Sequence, residues 1–195
     1  MKLVFATNNP NKLSELQALV PNGIEILSLK DIDCNEELPE TNPTLEKNAL
    51  QKAKYVYDRY GFNCFADDTG LEIEALGGSP GVYSARYAGE NCRADDNMKK
   101  VLSKLQNEKN RNAKFRTVIA LIVNGKENIF QGECNGRITK TKSGVEGFGY
   151  DPIFTPDGCE ITFAEMSKQN KGSISHRGRA VKELINFLTV KQSTN

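Results

Sequence analysis

Two adjacent acids, Asp67 and Asp68, follow the apolar run Cys64-Phe65-Ala66 and precede Thr69-Gly70. Neighbouring carboxylates repel, so something positive should offset them: a lysine, or a divalent cation held by oxygen ligands. The spacing predicts a strand that ends at the acids and a turn at Gly70. The plainer reading of the same residues is a turn whose Asp side chains bond nearby backbone N–H groups.

Other segments offer partners for these acids. In Phe5-Ala6-Thr7-Asn8-Asn9-Pro10-Asn11-Lys12, a strand runs through a short polar loop into a helix. A helix N-terminus presents free N–H groups and suits phosphate. A lysine in the first turn opposes the usual dipole preference and points to a bound anion, or else is simply solvated beside a capping turn. No GxxxxGK[ST] phosphate loop occurs. Farther on, Asn48 and Lys52 stand four apart on one helix face, next to Ala49 and Ala53. A half-buried Lys52 needs a counter-charge, from Asp67, Asp68 or a phosphate, unless its head snorkels into water.

Two later segments could meet a planar ligand. Gly144-Val145-Glu146-Gly147-Phe148-Gly149-Tyr150-Asp151-Pro152 places two aromatics in a Gly-rich loop. Pro152 stops any following helix, which excludes a dinucleotide fingerprint. An aromatic here either stacks on a ligand or packs beneath the loop. Lys171-Gly172-Ser173-Ile174-Ser175-His176-Arg177-Gly178 holds the single histidine, flanked by polar residues at the start of a helix. No GxSxG nucleophile elbow accompanies it.

These residues need a scaffold, and the apolar spacing predicts one. Strands are expected at 2–6, 24–28, 63–66, 71–74 and 115–123. Asn124-Gly125 should close a type I′ hairpin that returns through Ile129-Phe130. Helices are expected at 11–20, from Asn42-Pro43 to about 60, near 95–106, and at about 175–189. Asn42 should cap the second of these, with Pro43 in its first turn. Its inner face carries Leu45, Ala49, Ala53, Val56 and Tyr60. Residues 106–114 read as a polar surface loop. Early strand–helix–strand units and a later hairpin imply a mixed α/β sheet flanked by helices. Neither repeat nor linker interrupts the chain, so residues 1–195 form one domain, with room for two lobes.

The composition narrows the function. The 26 basic and 25 acidic residues leave a net charge of +1, giving no electrostatic footprint for nucleic acid. No apolar stretch is long enough to span a membrane, and Met1 to Ala6 lacks a signal-peptide core. Cys34, Cys64, Cys92, Cys134 and Cys159 are scattered without a CxxC pair. They read as small buried apolar residues in a reduced cytoplasm.

Taken in order, the segments resemble the inosine/xanthosine triphosphate pyrophosphatase family of house-cleaning purine nucleotide hydrolases. The resemblance runs through Phe5 to Lys12, Glu40-Thr41, Glu46-Lys47-Asn48-Ala49, Ala66 to Leu71, Gly81 to Gly89, Gly147 to Phe154 and Ser175-His176-Arg177-Gly178. Asn8 stands where many members have Gly, and Thr69 where many have Ser. The resemblance implies hydrolysis of a purine nucleoside triphosphate (ITP, dITP or XTP) to monophosphate and pyrophosphate. It also implies Mg²⁺, an elongated sheet in two lobes with a nucleotide cleft between them, and a homodimer. Thr7, Asn8, Asn9 and Lys12 would hold the triphosphate, with Pro10, Asn11, Asn48 and Thr69 in the same binding set. Lys52 would neutralise charge near the scissile phosphate. Glu40 and Asp68 would hold Mg²⁺, with Asp67 beside them, and Asp68 would activate or orient water. Phe148 of the Phe148-Gly149 pair would stack on the base. Tyr150, Asp151, Lys171, His176 and Arg177 would read its edge, although Arg177 could instead pair with a nearby acid. Gly81 to Arg86 would form a structural, dimer-facing loop.

Other readings compete. Asp68-Thr69-Gly70 matches the Asp-Thr-Gly of aspartic proteases, but those need two such carboxylates and only one Asp-Thr-Gly occurs. A nucleotide-binding sensor would not require Glu40, Lys52 and Asp68 together. A pyrophosphatase of pyrimidine or modified nucleotides would not require Ser175-His176-Arg177.

Overall fold

A computed structural model describes residues 1–21, 23–90 and 93–192. Cys92 therefore lies outside the described residues. The fold is mixed α/β. Its strands are β1 (Lys2–Phe5), β2 (Glu25–Leu27), β3 (Cys64–Ile73), β4 (Pro80–Gly81), β5 (Asn112–Val123), β6 (Lys126–Ile138) and β7 (Phe154–Pro156). Among the described residues they form one sheet in the order β2-β1-β3-β5-β6-β7, with β4 paired to β3. The helices are α1 (Pro10–Gln17), α2 (Leu45–Tyr60), α3 (Ala94–Lys104), α4 (Lys168–Ile174) and α5 (His176–Gln192).

The chain divides into two compact units. The first comprises Met1–Asp68, Thr117–Gly132 and Arg177–Asn195; the second comprises Thr69–Arg116 and Glu133–His176. Each unit gathers stretches that are distant in sequence.

In the first unit, β1 pairs in parallel with β2 and with β3, Val4 opposite Cys64 and Phe5 opposite Phe65. Parallel strands covered on both faces carry continuous apolar runs rather than alternation. Here Cys64, Phe65 and Ala66 are all buried. Leu3, Phe5, Phe65, Ile119 and Leu121 pack with Leu16 of α1 and with Ala180, Val181, Leu184 and Leu188 of α5. Phe5 stacks on Phe65 at 4.7 Å. The Cys64 thiol donates to the Ala53 carbonyl, tying β3 to the buried face of α2, and burial pushes that thiol up to about 12. Asn124-Gly125 closes the β5–β6 hairpin with both residues at positive φ, 50° and 73°, as a type I′ turn requires.

In the second unit, Leu71 and Ile73 of β3, Met98 and Val101 of α3, and Phe115 of β5 pack with Phe154 and Phe163. The later half of β6 alternates: Cys134, Gly136 and Ile138 are buried, while Asn135 and Arg137 are exposed. This is the period-2 pattern of a strand with one covered face.

Three expectations need correction. The strands expected at 63–66 and 71–74 are one continuous strand, so Asp67-Asp68-Thr69-Gly70 lies within β3 and not in a turn. Gly70 is needed for closeness: a Cβ there would meet the Gly81 carbonyl oxygen of β4 at 2.8 Å. The cap of α2 is Thr44, whose hydroxyl accepts the Lys47 N–H, and Asn42 instead donates to Gln51. The stretch at 106–114 already enters β5 at Asn112. Short β4, β7 and α4 went unforeseen because two- to seven-residue elements show too little periodicity.

Candidate active site

The first unit collects charge. The loop after β1 is shaped by its own side chains: the Thr7 hydroxyl accepts the Asn9 N–H, and the Asn9 side-chain oxygen, Oδ1, accepts N–H groups of Asn11 and Lys12 at 2.9 and 3.3 Å. Asn9 is thus the cap of α1, Pro10 stands in its first turn, and Lys12 is three residues into the helix. The Lys12 ammonium reaches across to Asp67 Oδ1 at 2.9 Å.

Lys52 of α2 is 4% exposed and does not snorkel. Its ammonium donates to the Asp67 backbone carbonyl at 2.8 Å and forms a short ion pair with Glu40. Asn48, one turn earlier, donates to Asp68 Oδ2 at 3.1 Å, while its own oxygen accepts the Asn42 N–H. At the start of α5, the Arg177 guanidinium places Nε and Nη2 each 3.1 Å from Asp67 Oδ2, and Nη1 2.6 Å from Glu15.

The adjacent acids therefore differ. Burial alone would raise Asp67, but Lys12, Arg177 and Lys52 outweigh it and hold the carboxyl well below the usual range. Burial raises Asp68, opposed by Lys52 and Lys12 and assisted by Glu40. Asp67 is a fixed negative anchor, and Asp68 holds a proton more readily. Lys12 is itself lowered, mainly by burial and then by Lys52 and Arg177, against the pull of Asp67. Burial likewise opposes the charge on Arg177, yet Asp67 and Glu15 leave it raised.

The second unit builds a different surface. Thr69 of β3 is partly buried here. The loop before β7 is held by Asp151, whose Oδ2 accepts the Phe148 N–H at 2.7 Å and the Lys171 ammonium at 2.6 Å. Gly147 has a φ of +73°, and a Cβ there would sit 2.1 Å from that same oxygen. Phe148 and Gly149 are half-buried. The Lys171 ammonium lies 5.0 Å from the Phe148 ring centre and 5.6 Å from that of Phe163, within cation–π range. His176 is buried, its ring stacked on Phe115 at 4.5 Å and 16°.

Tyr150 is 4% exposed, as buried as Asp151, Lys171 and His176, and its hydroxyl donates to the Ser84 carbonyl. Its aromatic ring is needed there to fill the core below the loop. The Arg177 guanidinium pairs with Asp67 and Glu15, the acid contact that its alternative reading expects. Glu15 was missed. Its one signal was its place one turn after Lys12 on α1.

Could these residues accept a divalent cation? Among the described residues no group of three or more His, Cys, Asp or Glu side chains is placed to hold a metal alone. Glu40 and Asp68 lie near enough for Glu40 to raise Asp68. Two carboxylates, completed by water and phosphate oxygens, suit Mg²⁺ rather than a closed protein cage.

A sequence model described as the Ham1 family matches residues 3–187. A dITP/XTP pyrophosphatase of Flavobacterium johnsoniae is 58% identical over 97% of this chain and 98% of its own. One from Porphyromonas gingivalis is 52% identical, over 96% and 97%. The Ham1 protein structure from Staphylococcus aureus superposes with a TM-score of 0.88 at 38% identity, covering 98% of this chain and all of its own. The nucleoside-triphosphatase (dITP/XTP pyrophosphatase) structure from Mycobacterium abscessus gives 0.75 at 40% identity, covering 95% and 99%. With close relatives along nearly its whole length, and the same fold in their solved structures, the chain is an enzyme and belongs to the Ham1 family.

Proposed function

We propose that this enzyme hydrolyses deaminated purine nucleoside triphosphates (ITP, dITP and XTP) to monophosphate and pyrophosphate, with Mg²⁺. The observation that carries this reading is the convergence of Lys12, Lys52 and Arg177 on Asp67, next to Asp68 and beside the N-terminus of α1. The named activity of the close relatives supports it.

Charge counting explains why a metal belongs to the reading. Those three cations already face four acids, Glu15, Glu40, Asp67 and Asp68. A triphosphate brings about four more negative charges near neutral pH. Mg²⁺, held by Glu40 and Asp68, would supply the missing positive charge and polarise phosphate oxygens. Lys12 and the first turn of α1 bind the phosphate tail. Lys52, fixed by Glu40 and the Asp67 carbonyl, offsets charge at the scissile phosphate. Asp68, oriented by Asn48, takes the proton of the attacking water. The water oxygen bonds to the α-phosphorus, the bond from that phosphorus to the α–β bridging oxygen breaks, and pyrophosphate leaves. No covalent enzyme intermediate is required, so scattered cysteines and a lone histidine are no obstacle.

In this reading Phe148 and its neighbours supply the base contacts. Phe148 stacks on the purine, and Lys171, Asp151 and His176 offer donors and acceptors to its edge. The 6-oxo group of inosine or xanthosine accepts from Lys171, whereas the amine of adenosine cannot. Cytoplasmic location and a homodimer complete the proposal. Among the described residues no helix is long and apolar enough to cross a membrane, and sedimentation tests the dimer. A chromatographic screen of nucleoside triphosphates with and without Mg²⁺, scoring monophosphate and pyrophosphate, tests the activity. Release of orthophosphate, or equal turnover of ATP and ITP, refutes it.

A further inference from the structure

Residues 34–44 form neither helix nor strand, yet they carry Glu40. Side-chain amides hold this segment. The N–H groups of Leu38, Thr41 and Asn42 donate to the side-chain oxygens of Asn8, Gln51 and Asn48, at 3.1, 3.1 and 2.8 Å. Gln51 and Asn48 belong to α2, but Asn8 belongs to the loop after β1. The Asn8 amide is used at both ends, since Nδ2 also donates to the Glu36 carbonyl at 3.1 Å. Its orientation follows from its partners: a carbonyl needs a donor and an N–H needs an acceptor. Glu36 is fastened separately, its carboxylate accepting from Tyr55, Tyr60 and Arg59.

We propose that Asn8 is a positioning residue for Glu40: its amide ties the loop after β1 to the Glu40-bearing segment. The idea that Asn8 serves Mg²⁺ through Glu40 rests on the proposed function; the tie itself does not. A side chain engaged at both ends acts on the neighbouring segment rather than as a phosphate ligand. A glycine at position 8 could make neither bond.

The test uses Asn8→Ala and Asn8→Gly in the full chain. Ala removes the amide without adding backbone freedom, and Gly checks that freedom separately. Amide hydrogen exchange at Leu38 and Thr41 is measured without nucleotide. Pyrophosphate release from ITP is then titrated with Mg²⁺. Loss of one such hydrogen bond predicts roughly two- to tenfold faster exchange at Leu38, with faster exchange at Thr41 as well. The half-saturating Mg²⁺ concentration should rise by a similar factor, and KM for ITP at saturating Mg²⁺ should change less. Unchanged exchange at Thr41 overturns the proposal, because the tie then fails to reach the residue beside Glu40. A raised KM with unchanged Mg²⁺ demand also overturns it and makes Asn8 a phosphate ligand. If the native enzyme releases no pyrophosphate, the proposed function fails while the exchange data still decide the tie.

Discussion

Both units bury an acid against a lysine, but they use the pair differently. Asp67 meets Lys12 and Arg177 on separate oxygens, while Lys52 holds its backbone carbonyl. Asp151 meets Lys171, and the same carboxylate oxygen also receives the Phe148 N–H. Around Asp67 the neighbours are charged; around Lys171 they are the rings of Phe148 and Phe163. The first arrangement gathers positive charge where an anion can use it. The second keeps one neutralised pair among aromatics and locks a loop in place. A single ion-pair motif thus serves as a charge store in one unit and as a latch in the other.

The sharpest test lies within the charge store. Asp68→Asn should lower kcat by about 10²–10⁴-fold, because the amide cannot accept a proton. Its fold should persist, since burial already disfavours the Asp68 charge. Steady-state kinetics and a thermal melt read both; near-native turnover would transfer the base role to another acid.

Asp67→Asn should act mainly on stability, by about 3–5 kcal/mol, because it strands two buried cations. Urea unfolding of metal-free protein measures this. Asp67 also predicts a pH trend. Its folded-state affinity for protons is depressed below the ordinary value of 3.8. The unfolded chain therefore binds more protons below that pH, and stability falls as pH drops through and beneath it. Above it the contribution is fully present. Asp67→Asn should flatten that acid limb, and an unaltered limb would remove Asp67 as its source.

The latch should yield smaller effects. Phe148→Ala is expected to raise KM for ITP by the loss of one stacking contact, about 1–3 kcal/mol, with a lesser change in kcat. A pure kcat loss would place Phe148 beneath the loop and away from the base. Gly147→Ala should displace the Asp151 carboxylate and, like Asp151→Asn, loosen its hold on Lys171 and the Phe148 N–H. Combined in one protein, the two changes should cost less than their sum, because they act through one oxygen.

Much of this was legible in the sequence, unevenly. The long helices, the Asn124-Gly125 hairpin and the buried parallel strand follow from apolar spacing and turn chemistry. The need for a cation beside Asp67 and Asp68 follows from repulsion, and lysines do lie there. The partner was hidden: Arg177 is 110 positions from Asp67, and no local pattern reports so distant a pair. Gly70 misled because a glycine required for close strand approach looks the same in sequence as one that turns.

Lys12 and Lys52 carry a last consequence. Long, rotatable side chains ordinarily sample many rotamers, and ordering one on a ligand costs up to about 2 kcal/mol. Here both ammonium groups are already held by protein oxygens. Their conformational entropy is lost when the chain folds, before any nucleotide arrives. An incoming triphosphate meets lysines with little disorder left to lose, and the rotamer entropy penalty of binding is correspondingly small.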